Sequence, residues 1–230
     1  MTDTLAVVGL GRMPYGPALT LQRSLAHRMV AGEISTDLLL LVEHPPVITM
    51  GRGFKAEHLP TPREFLDARG VEVFEAERGG DVTFHGPGQL VGYPILDLKH
   101  HRLDLHWYLR QLEAALIAVL EDLGVTGERS PGYTGVWTGG RKIASIGVHV
   151  KQWVTWHGFA LNVLTDLSYF DLIVPCGIAG VEMTSLQKEL GERAPRDLWS
   201  RTTDQTVLAM AETFERHPQM VTLDDLEVTA

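Results

Sequence analysis

Two side chains in this sequence have types that work as a pair in covalent chemistry. Cys176 stands between Pro175 and Gly177, with Gly180 close behind. Lys142 follows Gly139-Gly140-Arg141 and opens the apolar run Ile143-Ala144-Ser145-Ile146-Gly147. A thiol is a good nucleophile once deprotonated, but near its reference pKa of ~8.5 only a few per cent is thiolate at neutral pH. It needs a cation or a base beside it, and a lysine can act as either. Each residue also has an ordinary reading. A lone cysteine is commonly a small buried hydrophobe, and a lysine opening a strand is commonly solvated. The Pro-Cys-Gly setting predicts a loop, where backbone can bend to present the thiol.

A second chemical feature is the stretch Arg78–Asp97, RGGDVTFHGPGQLVGYPILD, with glycine at 79, 80, 86, 88 and 92. Glycine beside a strand lets a ligand or another backbone come close, because no Cβ stands in the way. His85-Gly86-Pro87-Gly88 is turn chemistry between two short β runs, 81–84 and 89–96. The plain reading is a hairpin that needed tight turns; the other is an open surface for a substrate. Gly51-Arg52-Gly53 is a second arginine framed by glycine.

Other chemistries find little support. The ten histidines invite a metal, and His100, His101 and His106 are the densest group. Their spacing does not put three ligands on one helix face, and no cysteine or carboxylate pattern completes a zinc site. Neither a Walker-type phosphate loop nor a Gly-x-Ser-x-Gly elbow occurs.

The elements that must position these residues follow from pattern. Strands are expected at 4–10, 37–42, 47–50, 71–75, 81–84, 89–96 and 132–137, with a helix at 17–31 and a short one at 62–68. Asp37–Val42, DLLLLV, reads as a central strand buried on both faces. Glu43-His44-Pro45-Pro46 must break pairing, since proline has no N–H. Asp104–Leu123 is the clearest helix, with Leu105, Tyr108, Leu109, Leu112, Leu116, Val119, Leu120 and Leu123 on one face and Gly124 as its stop. Residues 142–150 and 154–163 read as a hairpin around Lys151-Gln152-Trp153, setting Lys142 across from about Asn162. Beyond Gly180 the pattern turns helical, most clearly at 203–216, and the tail from His217 is expected to be loosely held. The whole is expected to be one α+β domain, residues 1–216 with a tail at 217–230, built on a mixed, largely antiparallel sheet flanked by helices.

Composition narrows the class. The chain has 230 residues, 44% hydrophobic and 21% charged, with net charge −9. That is an ordinary globular composition. A general nucleic-acid binder would be basic, so no nucleic-acid partner is expected. No apolar stretch is long enough for a membrane span, and Leu5–Leu10 is too short for a signal-peptide core and has no basic region before it, so neither a membrane partner nor export by the usual signal is expected. Cys176 is the single cysteine, so no internal disulfide can form, and a reducing cytoplasm is expected.

Four blocks together resemble the signature of the lipoyl(octanoyl) transferases: Arg78–Leu90, Gly140–Gly147, His157–Asn162 and Pro175-Cys176-Gly177. Glu43-His44-Pro45-Pro46 is similar to the family's N-terminal block, and the match runs in order from about residue 5 to 215. The resemblance implies an octanoyl-[acyl-carrier-protein]:protein N-octanoyltransferase on the α+β fold shared by the catalytic domains of biotin and lipoate ligases. It implies Cys176 as the active-site cysteine and Lys142 as its assisting lysine, acting through its charge or as a base. It also implies acyl contacts at Arg78, Gly79, Gly80, Asp81, Val82, Thr83, Phe84 and His85, at Ser145, Ile146 and Gly147, and at Gly158, Phe159 and Ala160. The implied donor is octanoyl-acyl carrier protein, whose phosphopantetheine carries the chain, so no cofactor and no metal of its own are expected. The implied acceptors are lipoyl domains of 2-oxoacid dehydrogenase complexes and the glycine cleavage H protein. Backbone N–H groups near Gly147 or Gly177 are expected to hold the oxyanion. Docking of an acidic carrier on so acidic a protein would need a local basic patch, for which Arg52, Lys55, Arg78, Arg141 and Lys151 are the candidates.

Three rival readings remain at this point. An ATP-dependent lipoate or biotin-type ligase would use the same fold without needing a cysteine. A non-catalytic domain that binds acylated carrier protein would not turn over. A cysteine hydrolase would need a histidine on Cys176, with His85 or His157 as candidates.

Overall fold

A computed structural model describes residues 3–178 and 180–227; the other positions, including the last three of the expected tail, lie outside the described residues. The architecture is built outward from the strand β2 (Asp37–Glu43). Its alternating leucines feed two cores. Leu38 and Leu40 join one that contains Ala18, Leu25, Ala26 and Met29 of helix α1 (Tyr15–Val30). Leu39 and Leu41 join the other, with Leu112, Leu116 and Leu120 of α3 (Leu105–Asp122) and Ala209 and Met210 of α5 (Leu198–Thr213). A strand apolar on both faces thus sits in the middle of a three-layer sandwich, as its pattern requires.

Two mixed sheets replace the single one expected. The large sheet has the order β10-β1-β2-β6-β9-β8-β7, and the small one β4-β3-β5. In the large sheet β1 (Thr4–Arg12) pairs in parallel with β2 and with β10 (His217–Met220). The other neighbours, β6 (Gln89–Ile95), β9 (Val154–Asn162), β8 (Arg141–Lys151) and β7 (Gly135–Thr138), run antiparallel. The division falls at Pro45-Pro46, which cannot extend the β2 ladder because neither residue can donate. The chain leaves there to form β3 (Val47–Met50), flanked by β4 (Glu72–Glu75) and β5 (Val82–His85). Short helices α2 (Arg63–Ala68), α4 (Leu186–Leu190) and α6 (Leu223–Glu227) complete the set.

Several boundaries differ from expectation. α1 starts at Tyr15 rather than Pro17, because a proline in the first turn lacks only an N–H that has no helical partner anyway. The strand expected at 132–137 is β7, three residues later, and its turn is Gly139-Gly140 alone. The last long helix is Leu198–Thr213, not 203–216. The tail is not loose at its start: His217–Met220 pairs with β1, and Arg216 and His101 both reach the buried carboxylate of Asp37, at 2.9 and 2.7 Å. A four-residue strand containing Pro218 is too short to show a period.

The β8–β9 hairpin turns on Gln152 and Trp153 alone, with φ of +51° and +69°, the two left-handed residues of a type I′ turn. The ladder ends at Ala144–Leu161, so Lys142 does not face Asn162. On the edge that faces β9, Lys142 instead receives the segment 182–184, through Lys142 N–H to Glu182 O (2.8 Å) and Thr184 N–H to Lys142 O (2.9 Å).

Candidate active site

That return of the chain sets the geometry of the site. It brings the 175–178 segment over β8, where Lys142 Nζ lies 3.1 Å from Cys176 Sγ. Ser145 Oγ, further along the same strand, is 3.8 Å from the sulfur. Lys142 is 1% exposed, and no carboxylate lies within ion-pair distance of it among the described residues. Its Nζ lies over the Trp137 ring, 4.9 Å from the ring centre. Its stem crosses Gly135, where an added Cβ would come within 2.9 Å of Lys142 Cε.

Cys176 stands on a different kind of support. Pro175–Gly177 is one 3-10 turn, inside which Cys176 has φ +57° and ψ +18°. That left-handed conformation costs a non-glycine residue about 1–2 kcal/mol. Turn bonds hold it: Gly177 N–H to Val174 O, Ile178 N–H to Pro175 O, and Val174 N–H to His58 O. The Gly177 N–H is thereby committed to Val174, which removes it as an oxyanion donor. Beneath the turn, His58 Nδ1 and Asp81 Oδ2 are 2.6 Å apart. A Cβ on Gly177 would meet that carboxylate at 2.7 Å and the His58 ring at 2.9 Å. His58 was not foreseen: it follows Gly51-Arg52-Gly53 by five residues, and nothing in that spacing pairs it with Asp81.

A cavity of about 320 Å³ opens beside the pair, at the lower end of the range for small-molecule sites. Thirteen of the fourteen expected contacts line it: Arg78, Gly79, Gly80, Asp81, Val82, Thr83, His85, Ser145, Ile146, Gly147, Gly158, Phe159 and Ala160. Phe84 does not; it stacks on Tyr169 at 4.7 Å and meets Phe170 edge-on, in the core of the small sheet. Leu105 and Leu109 of α3, with Tyr133, line the cavity, so the first turn of that helix serves the site. Tyr15, Tyr93 and His157 also line it. Tyr15 was not foreseen; an aromatic between Pro14 and Pro17 is the one local hint.

The cavity wall on the Arg78 side is close-packed backbone. Gly51 N–H donates to Asp81 O, Arg52 N–H to Arg78 O and Gly53 N–H to Gly80 O. A Cβ on Gly51 would lie 2.4 Å from Gly80 O, which explains the glycines around Arg52. Arg78 is buried, and its guanidinium is bound to Thr49 O and Oγ1 at 2.6 and 2.8 Å. It is therefore a structural clasp and cannot belong to a docking patch. Arg141 is paired twice with Glu189, at 3.0 and 2.8 Å. Of the five basic candidates, Arg52, Lys55 and Lys151 are exposed and have no salt bridge among the described residues.

Burial leaves His85 and His44 neutral at pH 7. Burial pushes His85 down to about 3 and His44 down to about 4, and it lowers His157 as well. His85 bonds Gln89, and His44 bonds Met13 O and Tyr93 Oη. His85 and His157 make no hydrogen bond to Cys176; among the described residues the side chains that do are Lys142 and Ser145, and of the two Lys142 carries the basic nitrogen. Among the described residues no group of three or more His, Cys, Asp or Glu side chains is arranged to hold a metal ion. No helix among them is long and apolar enough to cross a membrane.

Comparison with known proteins agrees in its direction. Residues 14–215 match the lipoyl protein ligase A/B catalytic domain. An octanoyltransferase of Gloeobacter violaceus is 56% identical over 168 residues, 73% of either chain. One of Synechococcus elongatus is 47% identical over 221 residues, covering 96% of this chain and 92% of its own. Among solved structures, a bi-partite lipoate protein ligase of Thermoplasma acidophilum, described with its E2 lipoyl domain, aligns with a TM-score of 0.75 over 98% of this chain and 90% of its own. At 14% identity that likeness is one of fold.

Proposed function

We propose a two-step mechanism for this chain, which belongs to the lipoyl(octanoyl) transferase family and is an acyltransferase that moves octanoyl groups in protein lipoylation. In the first step Lys142 takes the proton of Cys176, and the sulfur attacks the thioester carbonyl of octanoyl-acyl carrier protein. The new C–S bond forms as the bond to phosphopantetheine breaks, and Lys142 returns the proton to the departing thiolate. One thioester replaces another of similar energy. In the second step the ε-amine of a lipoyl-domain lysine attacks the Cys176 thioester. Lys142 accepts the amine's proton and passes it to the Cys176 sulfur as it leaves. The product is an amide, more stable than a thioester, so the transfer runs forward without ATP.

The observation that carries this reading is the 3.1 Å contact between Lys142 and Cys176 at the edge of a cavity floored by glycine and small residues. An ATP-dependent ligase on the same fold has no use for that contact. The acceptors on this reading are the lipoyl domains of 2-oxoacid dehydrogenase complexes and the glycine cleavage H protein. The reaction is the first step of endogenous lipoylation, in a cytoplasm that keeps Cys176 reduced. The test is intact mass after mixing with octanoyl-carrier protein. The wild-type chain gains one octanoyl group that hydroxylamine removes, and Cys176→Ala gains none. Turnover of Cys176→Ala at a comparable rate overturns the covalent route.

A further inference from the structure

We infer that Tyr15 of α1 and His157 of β9, the latter backed by Gln22 of α1, form the closed end of the acyl cavity and fix the preferred chain at eight carbons. The inference deepens the proposed reaction and rests on its reading of Cys176 as the acyl carrier.

The β8–β9 ladder supplies the scale. Ser145 pairs with Ala160 and touches Cys176. The next pairs are Ile146–Phe159, Gly147–Gly158 and Val148–His157. Three steps along a strand carry the cavity about 10 Å from the sulfur to His157. A saturated eight-carbon acyl group has seven C–C bonds of about 1.5 Å in a zigzag and spans about 9 Å. An octanoyl chain on Cys176 therefore reaches about as far as the Val148–His157 pair, beyond which the ladder runs on to Lys151–Val154. Between the sulfur and His157 the bore is set by backbone: a Cβ on Gly147 would meet Gly79 O at 2.9 Å, and one on Gly158 would meet Gly92 O at 2.2 Å.

At the far end the wall carries a braced aromatic ring and buried polar atoms. Tyr15 is braced on three sides, stacked on His85 at 6.1 Å and packed 5.5 Å from His44 and 5.4 Å from Phe74. Its hydroxyl, Gln22 Nε2 and His157 Nε2 are buried without a hydrogen-bond partner among the described residues. His157 Nε2 is 3.7 Å from Glu77 Oε2, beyond hydrogen-bond reach, and Gln22 is tied to the same spot by accepting from His157 N–H at 3.0 Å. Burial raises the Tyr15 hydroxyl to about 12, so it stays neutral, with Arg78 and Glu77 the next influences on it. A tenth carbon would have to move a braced ring into a group of polar atoms.

The experiment gives hexanoyl, octanoyl, decanoyl and dodecanoyl carrier protein to the full chain and follows acylation of Cys176 by intact mass. For the wild-type chain kcat/KM falls sharply between octanoyl and decanoyl, by about tenfold or more, as expected for methylenes without a pocket. Equal acylation by octanoyl, decanoyl and dodecanoyl donors overturns the inference whatever the variants do. Tyr15→Leu opens the end from α1. His157→Gly opens it from β9, where φ of +57° suits glycine. Each raises the decanoyl-to-octanoyl ratio by about tenfold or more. An unchanged ratio in either variant that still accepts octanoyl places the stop elsewhere. No acyl-enzyme from any donor on the wild-type chain refutes the proposed reaction itself, and the inference with it.

Discussion

Lys142 and Cys176 reach the same point from opposite kinds of backbone. Lys142 stands on β8, paired with β7 on one side and with residues 182–184 on the other, its side chain buried against Trp137 and Gly135. Cys176 stands on one left-handed turn between a proline and a glycine, half-buried, and leans on the His58–Asp81 pair. Lys142 is held by the sheet; Cys176 is held by a few turn bonds and by the close fit at Gly177. The arrangement suits the two tasks. In the proposed mechanism the proton acceptor must keep one position through both half-reactions, whereas the thiol must carry an acyl chain and meet two large protein substrates.

Changes at the two sites should therefore fail differently. The largest effect belongs to Cys176→Ala, which removes the acyl carrier and should lower transfer by about 10⁴-fold or more, measured as amide formed in single turnover. Lys142→Ala should slow both steps by about 10²–10⁴-fold. Lys142→Arg keeps the charge but will not release its proton near neutral pH, so it should form some acyl-enzyme and stall before the amide. Near-normal amide formation in the Arg variant would reduce Lys142 to a charge and break the contrast between rigid base and bent nucleophile. Gly177→Ala leaves both reacting groups in place, but it strains a residue at φ +66° and drives a methyl toward Asp81. A loss of about tenfold in acylation rate with about 1–2 kcal/mol of stability is expected, checked by single turnover beside thermal melts. Acylation at the wild-type rate would mean the turn is softer than its contacts imply. The smallest effect lies outside both regions: reversing Arg52, Lys55 and Lys151 together should raise KM for the carrier several-fold and flatten its salt dependence, with kcat kept.

The same contrast explains what the sequence could disclose. The sheet side was legible because periodic burial leaves a pattern: DLLLLV at β2, the helical face of α3, and the two β runs of the 142–163 hairpin. The four signature blocks named the residues around the cavity, and most of them line it. The contact of Lys142 with Cys176 was not legible from spacing, because it depends on the aperiodic return through 163–184 and on the pairing of Lys142 with residues 182–184. Arg78 looked like a surface charge because burial of a guanidinium depends on Thr49, which lies in another strand. Tyr15 and His58 act through neighbours distant in sequence, so no local pattern marks them.

The parallel pairing of β1 with β10 has a consequence for how the chain acquires its shape. Thr4 meets His217, so the first strand in the sequence waits for the last before its outer edge is closed. Contacts of such separation form late, after loop-closure entropy has been overcome by nearer pairings. Until then β1 presents an open row of backbone donors and acceptors, which another chain can extend. The ion cluster of Asp37, His101 and Arg216 sits just where that strand docks, on residues that are themselves scattered along the sequence. Closing the edge and burying these charges are thus one event, and the time before it is when self-association competes with folding.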